Sequence, residues 1–328
     1  MTPPKPPVLV ADIGGTHARF ALATGPHGRL QVASVRHYAV ADHANVIDAA
    51  RRYLAEVAAR PGRAVLSAAG PVVGGRVRFT NHDWVIVAAD VARALAIDEV
   101  RLINDFAALS MALPRLKPAQ IEMLGSLEAP TPGAHPEQTF AVAGPGTGLG
   151  VGGLLRRGGQ FHILQTEGGH ASFAPTSALQ VELLRRLQKR LGHVCNEALV
   201  SGPGLLTVYR ELAEIEGVAA ERSAPEQITE GASNGDDALC EQAVQTVCAV
   251  FGAVAGDVVL GLGAWDGIYL GGGLSPVLLP WLHQGGFRHH FEDKGARQDV
   301  LHDVPVAVIT DTDAGLYGAA AMAAIGAA

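Results

Sequence analysis

The sequence has no surplus of basic residues: 25 lysines and arginines face 32 aspartates and glutamates, and the formal net charge is −7. Nucleic-acid binding needs a concentrated positive surface, so we expect no nucleic-acid partner. Cysteine is also scarce, since Cys195, Cys240 and Cys248 make neither a CxxC pair nor a Cys/His set with zinc spacing. An odd, sparse cysteine count is typical of a reducing compartment, and we expect a cytoplasmic protein.

Long uninterrupted apolar runs are missing as well. The best candidate for a membrane span, residues 243–262, contains Gln245 and Asp257, and this polarity favours a buried core helix. Residues 1–7 are rich in proline and lead into a predicted strand, which is not the pattern of a secretory signal. We therefore expect no association with membranes.

Several widespread catalytic motifs are absent. Without a G-x-x-x-x-G-K-[ST] segment, a nucleotide would not be held by a Walker-type loop, and the H-R-D set of protein kinases is missing too. No G-x-S-x-G elbow occurs, residues 201–204 lack the strand–elbow spacing, and Ser67 has no partner that the sequence identifies. These absences exclude the common P-loop, protein-kinase and serine-hydrolase arrangements.

Glycine, by contrast, is abundant: 40 of the 328 residues, roughly 12% against a usual ~7%. The glycines cluster beside apolar runs, which indicates tight backbone turns that only glycine tolerates. One strand–glycine turn–strand unit spans residues 8–22, with its turn at residues 12–16, and a second spans residues 139–155. Two copies predict a duplicated domain and are too few for a solenoid.

The rest of the chain alternates predicted strands and helices. Apolar or amphipathic periodicity indicates strands at residues 64–68, 100–103, 268–270 and 304–309, and helices at residues 42–59, 176–192, 237–262 and 314–325. A proline-rich stretch with little periodicity, residues 114–137, is the predicted connector. The pattern predicts an α/β fold with mixed sheets.

The first glycine turn has the chemistry of a phosphate site. Backbone N–H groups at Gly14 and Gly15 and the hydroxyl of Thr16 are suitable donors to phosphate oxygens. The carboxylate of Asp12 could hold Mg²⁺ through water, because this ion gives up its hydration shell reluctantly. An ordinary hairpin turn is the alternative.

The second glycine turn, residues 144–150, is also rich in donors. Residues 148–153 match G-x-G-x-x-G, but a dinucleotide fingerprint requires a helix after the glycines, and residues 152–159 indicate a strand and turn. A nicotinamide enzyme built on this loop is therefore the least favoured alternative. The absence of a cofactor-dependent absorbance change would exclude it.

Further polar sets stand at strand ends and turns. Asn104-Asp105 follows an apolar strand and could bind a ligand hydroxyl, with Asp105 accepting its proton, whereas a helix N-cap is the alternative. Glu167 and His170 could face one sugar, and Glu197 precedes a glycine turn. As an alternative, Glu167, His170 and Glu197 are ordinary surface or helix residues.

Together these segments resemble bacterial glucokinases of the hexokinase/actin-like sugar-kinase superfamily. Order and spacing agree from about residue 8 to residue 320, which is nearly the whole chain. The motifs are ADIGGT at residues 11–16, INDF at 103–106, GTGLG at 146–150, EGGH at 167–170, Glu197 with LVSGPG at 199–204, and YLGGG at 269–273. Shorter familiar pieces are TNHDW at 80–84 and FEDKG at 291–295.

The resemblance implies the two-domain actin-like ATPase and sugar-kinase fold, in which duplicated ribonuclease-H-like α/β domains flank a cleft. Residues 1–113 with 306–328 would form the small domain and residues 114–305 the large one, with the C-terminal helix returning to the first domain. It also implies a homodimer that uses ATP and Mg²⁺ to phosphorylate glucose at its 6-hydroxyl for glycolysis.

The resemblance further implies a role for each motif residue. Asp105 would be the catalytic base. The glucose ligands would be Asn104, Asp105, Glu167, His170 and Glu197. The phosphates would lie against Ala11, Asp12, Ile13, Gly14, Gly15, Thr16, Gly146, Thr147 and Gly148, and the adenosine against Gly271 and Gly272. Asp12 would hold Mg²⁺ through water.

The chain departs from the family pattern at His17, where the family usually has asparagine, so the polar contact at this turn stays open. It also lacks the zinc-binding cysteine cluster of the related repressor/kinase family, and we expect neither structural zinc nor a DNA-binding arm. A kinase for another hexose, such as mannose or fructose, and a non-catalytic sugar sensor on the same fold are the alternatives. A substrate panel and an ADP-release assay would separate them.

Overall fold

The computed structural model describes residues 6–26, 30–79, 83–235 and 237–325. The chain divides into two compact units: Met1–Leu116 with Asp311–Ala328 is unit 1, and Lys117–Thr310 is unit 2. The strands are β1 Val8–Ile13, β2 His17–Thr24, β3 Gln31–Ala39, β4 Arg63–Ala68, β5 Arg76–Arg78, β6 Val85–Val87, β7 Glu99–Asn104, β8 Ile121–Met123, β9 Gln138–Pro145, β10 Leu149–Arg157, β11 Gln160–Gln165, β12 Ile268–Leu270 and β13 Val306–Ile309. The α-helices are α1 Val46–Glu56, α2 Ala88–Leu95, α3 Asp105–Ala112, α4 Ala178–Leu191, α5 Gly202–Glu216, α6 Pro225–Asn234, α7 Ala238–Leu262, α8 Ser275–Leu282, α9 Gly286–Glu292, α10 Gln298–His302 and α11 Ala314–Ile325.

Unit 1 is built on a five-stranded sheet with the strand order β3-β2-β1-β4-β7. β1, β2 and β3 pair antiparallel, whereas β4 and β7 run parallel to β1. Antiparallel neighbours need only a tight turn, but a parallel neighbour needs a crossover connection, which α1 and α2 provide. The carboxyl ends of β1, β4 and β7 consequently meet at one edge of the sheet.

The helices of unit 1 follow local signals in the sequence. α1 begins after Asn45, whose side chain accepts a hydrogen bond from the backbone N–H of Asp48, as a helix N-cap does. α11 consists mostly of small buried residues. At Gly318 a Cβ would overlap the carbonyl of Ala108, so this glycine lets α11 pack closely on α3. Helix α11 thereby becomes part of the core of unit 1.

Unit 2 contains a six-stranded sheet with the order β11-β10-β9-β12-β13-β8. Its first five strands repeat the order and directions of the unit 1 sheet: an antiparallel meander is followed by two strands parallel to its first strand. Each sheet starts with a glycine-tipped hairpin, β1–β2 in unit 1 and β9–β10 in unit 2. The predicted duplication and the α/β class are confirmed.

One helix in the described part of the chain, α7, is long and apolar enough to cross a membrane. It lies in the core of unit 2, and 72% of its most apolar window is buried. Gly252 and Gly256 face α9, where a Cβ would meet the backbone carbonyls of Phe287 and Phe291. The prediction of a core helix is therefore confirmed.

Two details differ from the sequence prediction. The connector predicted at residues 114–137 contains β8, which pairs antiparallel with β13 at the sheet edge. The structure divides the chain after Leu116 and after Thr310, whereas the predicted boundaries follow residues 113 and 305. Residues 306–309 belong to unit 2 because β13 pairs with both β12 and β8 there.

Candidate functional site

Asp12 lies at the end of β1, where the first glycine turn begins, and is partly buried. Its Oδ1 accepts a hydrogen bond from Ser67 Oγ at 3.2 Å, and its Oδ2 accepts one from Arg19 Nη1 at 3.3 Å. Burial raises the pKa of Asp12, while the Arg19 charge and the Ser67 hydrogen bond act in the opposite direction. The carboxylate thus has a positive partner and a hydroxyl partner in a partly dehydrated place.

The turn after Asp12 is held by its own backbone. The N–H of Gly14 donates to the carbonyl of His17 at 2.9 Å. Thr16 Oγ1 lies 3.0 Å from His17 Nδ1, so the histidine at the unusual position contacts the hydroxyl predicted to bind phosphate. Ala11 and Ile13 are fully buried, backbone included, and the carbonyl of Ile13 accepts from the N–H of Ala69 at 3.0 Å. The accessible groups of this turn are therefore those of residues 14–16.

Asn104 and Asp105 stand where β7 meets α3. Asn104 is the N-cap of α3: its Oδ1 accepts from the N–H groups of Phe106 and Ala107, and its Nδ2 donates to the carbonyl of Gly70 at 3.2 Å. The Asn104 side chain therefore caps α3, as the alternative interpretation predicted. One of its Nδ2 hydrogens is left for a ligand. Asp105, the first helical residue, is partly exposed, and its Oδ1 accepts from the N–H of Phe106 at 3.0 Å.

The second glycine turn joins β9 to β10 in unit 2. The N–H of Gly271 donates to the carbonyl of Ala143 at 2.9 Å, close to Gly144, where a Cβ would overlap the Gly271 carbonyl. Gly272 has φ +76 and no room for a Cβ beside Pro145. The predicted phosphate turn and the predicted adenosine glycines are thus in backbone contact.

The first residues of α5 support the same turn. The N–H of Gly202 donates to the carbonyl of Gly146 at 2.8 Å, and the N–H of Gly146 donates to the carbonyl of Gly148 at 2.8 Å. Ser201 is the N-cap of α5, and its Oγ accepts from the N–H of Gly204 at 2.9 Å. The positive end of α5 therefore binds the carbonyl of Gly146 and anchors the glycine loop to the start of the helix.

Glu197 is tied directly to the second glycine turn. Its Oε2 accepts from the N–H of Leu149 at 2.8 Å, and its carboxylate fills the space that a Cβ at Gly148 would take. His170 is exposed, and its Nδ1 lies 4.0 Å from Cys195 Sγ, two residues before Glu197. Glu167 is exposed, its side chain makes no capping bond, and its backbone carbonyl accepts from the N–H of His170 at 3.0 Å. The structure therefore brings His170, Glu197 and Gly148 into one neighbourhood.

Four residues at these sites were not singled out as functional by the sequence. Arg19 and Ser67 bind Asp12, Asp313 lies beside Arg19, and Cys195 contacts His170. The sequence contains one weak indication of these residues: in the predicted β1–β2 hairpin, Arg19 stands opposite Asp12. Ser67, Asp313 and Cys195 reach these sites through contacts between segments that are far apart in the sequence or between two loops.

One of the three cysteines is expected to react with a disulfide reagent such as DTNB in the folded protein at neutral pH. Burial raises the pKa of Cys240 to about 11 and that of Cys248 to about 12, so their reactive thiolates hardly form. Cys195 is only partly buried. Thiol titration should give about one fast equivalent, and Cys195→Ser should remove it. Fast reaction of a second thiol in the native protein would contradict this burial.

Comparisons with known proteins identify the family. The profile described as Glucokinase matches residues 9–325. The glucokinase of Stenotrophomonas maltophilia (strain K279a) is 46% identical over 323 residues, which cover 97% of this chain and 95% of that protein. The crystal structure of a glucokinase from an Antarctic psychrotroph is 35% identical with a TM-score of 0.83, covering 96% of this chain and 98% of that chain. A ROK family glucokinase from Streptomyces griseus, crystallised with glucose and AMPPNP, has the same fold with a TM-score of 0.64 at 20% identity, over 96% of this chain and 98% of that one. This chain therefore belongs to the Glucokinase family.

Proposed function

We propose that this protein is an ATP-dependent glucokinase, which transfers the γ-phosphate of ATP to the 6-hydroxyl of glucose. The observation that carries the proposal is membership of the Glucokinase family over residues 9–325. Both glycine turns and the aspartate after β7 are also in place. Their presence counts against a sensor that has lost catalysis.

The proposed glucose ligands are Asn104, Asp105, Glu167, His170 and Glu197. Carboxylates accept hydrogen bonds from sugar hydroxyls, an imidazole can donate or accept, and an amide nitrogen donates. Glu197 already accepts one bond from the N–H of Leu149, which fixes its carboxylate while leaving further acceptor positions. Asn104 can supply the one Nδ2 hydrogen that its capping role leaves.

The proposed catalytic base is Asp105. As the 6-hydroxyl oxygen attacks phosphorus, its proton needs an acceptor, and a positioned carboxylate typically contributes ~10²–10⁴-fold to the rate. Asp105 is partly exposed at the first position of α3, and the helix that follows orients its side chain. Most of the remaining acceleration would come from positioning and from donors around the phosphates.

The proposed nucleotide site uses backbone groups. Residues 11–16 and residues 146–148 would bind phosphate oxygens through the N–H groups that the turns leave free, with the Thr16 and Thr147 hydroxyls beside them. The N–H groups of Gly14 and Gly146 instead hold the turns in shape, because they donate to the carbonyls of His17 and Gly148. Gly271 and Gly272 would lie against the adenosine, because glycines leave room for a flat ligand. ATP is the proposed donor, in line with the ATP analogue AMPPNP in the Streptomyces griseus relative.

Magnesium is proposed to bind near Asp12 through water. The ion prefers oxygen ligands and keeps several of its waters. Asp12 fits this role, since each of its oxygens already accepts one hydrogen bond and a water-mediated contact needs only the remaining lone pairs. Within the described residues no three metal-binding side chains gather in one place, so the phosphates and water would supply the other ligands. The ion would neutralise phosphate charge.

We also propose a homodimer in the cytoplasm. The dimer rests on the family resemblance, and the compartment on the sparse cysteines, which are free thiols in the fold. Light scattering after size exclusion would test the dimer: a mass of twice 34.0 kDa is expected, and a mass of one chain at micromolar concentration would contradict it.

The decisive experiment is an ADP-release assay with Mg·ATP and a panel of sugars. Glucose is expected to give the highest kcat/KM among glucose, mannose and fructose. A higher kcat/KM for another hexose would reassign the substrate, and glucose binding without any ADP release would favour the sensor. Parallel runs with ADP or polyphosphate in place of ATP, in which the glucose 6-phosphate formed is measured, test the choice of donor. Addition of a nicotinamide cofactor alone should give no absorbance change.

A further inference from the structure

A row of four polar side chains crosses the sheet of unit 1 beside the first glycine turn. Strand register places Arg19 opposite Asp12 on β2 and Ser67 opposite Asp12 on β4. It also places His37 opposite Arg19 on β3. Directly paired residues on neighbouring strands project to the same face of a sheet. His37, Arg19, Asp12 and Ser67 therefore lie side by side on four adjacent strands; we call them the polar row.

Both oxygens of Asp12 are engaged by its neighbours in the polar row. Ser67 Oγ donates to Oδ1, and Arg19 Nη1 donates to Oδ2. Ser67 is fully buried, and the Arg19 side chain is 23% exposed, so water competes little for these bonds. Two donors from opposite sides hold the plane of the carboxylate in one orientation.

Asp313, the residue before α11, and the first turn of α11 lie against the polar row. Asp313 Oδ1 lies 2.8 Å from His37 Nε2 and 3.9 Å from Arg19 Nε. Among the described residues, Arg19 Nε is buried without a hydrogen-bond partner. The negative charge of Asp313 nearby offsets the cost of burying this nitrogen. A Cβ at Gly315 would lie 2.6 Å from Asp12 Cγ, which means that the helix backbone rests directly against the carboxylate.

We infer that Arg19 and Ser67 are positioning residues for Asp12, and that Asp313 in turn fixes Arg19. Together they hold the Asp12 carboxylate in one orientation beside the phosphate-binding turn. Arginine suits the place because two of its nitrogens reach two different carboxylates, which the single ammonium of lysine cannot do. The inference rests on the proposed function, since it assumes that Asp12 serves the Mg·ATP site. None of the three residues is required to touch a substrate.

The test is a double-substitution cycle in the full chain with Asp12→Asn, Arg19→Met and the two combined. Arg19→Met alone is expected to raise the Mg·ATP concentration for half-maximal rate roughly 10–100-fold, the usual loss when the partner of a metal-site ligand is removed. The KM for glucose should stay nearly unchanged. Because Arg19 acts through Asp12, adding Arg19→Met to Asp12→Asn should change little more. Equal effects of Arg19→Met in both backgrounds would overturn the inference.

A second readout does not depend on turnover. Mg·ADP should raise the Tm of the wild type, and Arg19→Met should reduce this rise while the rise caused by glucose persists. Asp313→Asn and Arg19→Lys should show the same loss to a smaller degree. A wild type without any Mg·ADP-induced rise would overturn the inference as well.

Arg63 offers a matched control on the same sheet. It pairs with Glu99 at 3.0 Å and donates to the carbonyl of Ala323 in α11 at 3.3 Å, so it also links a strand to α11. Arg63→Met should lower the Tm without changing the Mg·ADP-induced rise. If it reduces that rise as much as Arg19→Met does, the role of Arg19 is only structural and the inference fails.

Failure of the proposed function would look different. In that case the wild type would not release ADP in the presence of glucose. The inference alone fails when the wild type is active and the effects of Asp12→Asn and Arg19→Met simply add.

Discussion

Replacing Asp105 by asparagine is expected to lower kcat for glucose phosphorylation by about 10²–10⁴-fold while glucose still binds. An amide of the same shape cannot accept the proton of the 6-hydroxyl, but its oxygen can still accept the hydrogen bond from the N–H of Phe106. Helix α3 should therefore form as before. Single-turnover kinetics would give the chemical rate, and calorimetry the Kd for glucose.

Asp90→Asn is the matched control for that variant. Asp90 also stands in the first turn of a helix, α2, where it pairs with the exposed Arg93 at 3.4 Å. Removing its charge alters a helix terminus in the same way but touches no proposed site residue, so kcat should stay near the wild-type value. A near-normal kcat in Asp105→Asn would contradict the assignment of Asp105 as the catalytic base.

Gly144→Ala is expected to lower the free energy of unfolding by about 3 kcal/mol or more, or to prevent unit 2 from folding. The added Cβ would overlap the backbone carbonyl of Gly271. This carbonyl cannot move aside easily, because the N–H of Gly271 bonds Ala143 and its oxygen accepts from Ser275 Oγ. Chemical denaturation would measure the loss.

Gly146→Ala is the matched comparison. It adds the same methyl group two residues further along the turn, but without the overlap that Gly144→Ala creates. There the added Cβ would meet Gly273 N at 3.8 Å, an ordinary contact, so the free energy of unfolding should change by less than about 1 kcal/mol. The methyl group would nevertheless narrow the proposed phosphate turn and raise the KM for ATP. Equal stability of the two variants would show that the contact of Gly144 with Gly271 is not restrictive.

Features with a short-range signal could be predicted from the sequence. The two glycine-tipped hairpins follow from apolar runs broken by glycine, and the long core helix follows from its composition and length. Asp12, Asn104 and Asp105 were singled out because their types and positions suit a ligand, whereas the ligand role of Glu197 was implied by the family resemblance. The roles given to them remain predictions, while the capping bonds of Asn104 are observed.

Features that depend on distant pairing could not be predicted in this way. β8 has only three residues, which are too few to show a periodic pattern. It forms a strand because its backbone pairs with β13 at the edge of the sheet. Residues 306–309 look like any apolar strand, and only pairing with β12 assigns them to unit 2.

By itself the sequence determined the α/β class, the duplicated hairpins and membership of the Glucokinase family, because these depend on local composition and on motifs in a set order. Only the tertiary structure decided which side chains meet. Ser67 lies 55 positions along the chain from Asp12, and Asp313 comes from the far end of the chain. Strand order, register and the docking of α11 bring them together, since hydrogen bonds and ion pairs act over a few ångströms and chain separation does not limit them.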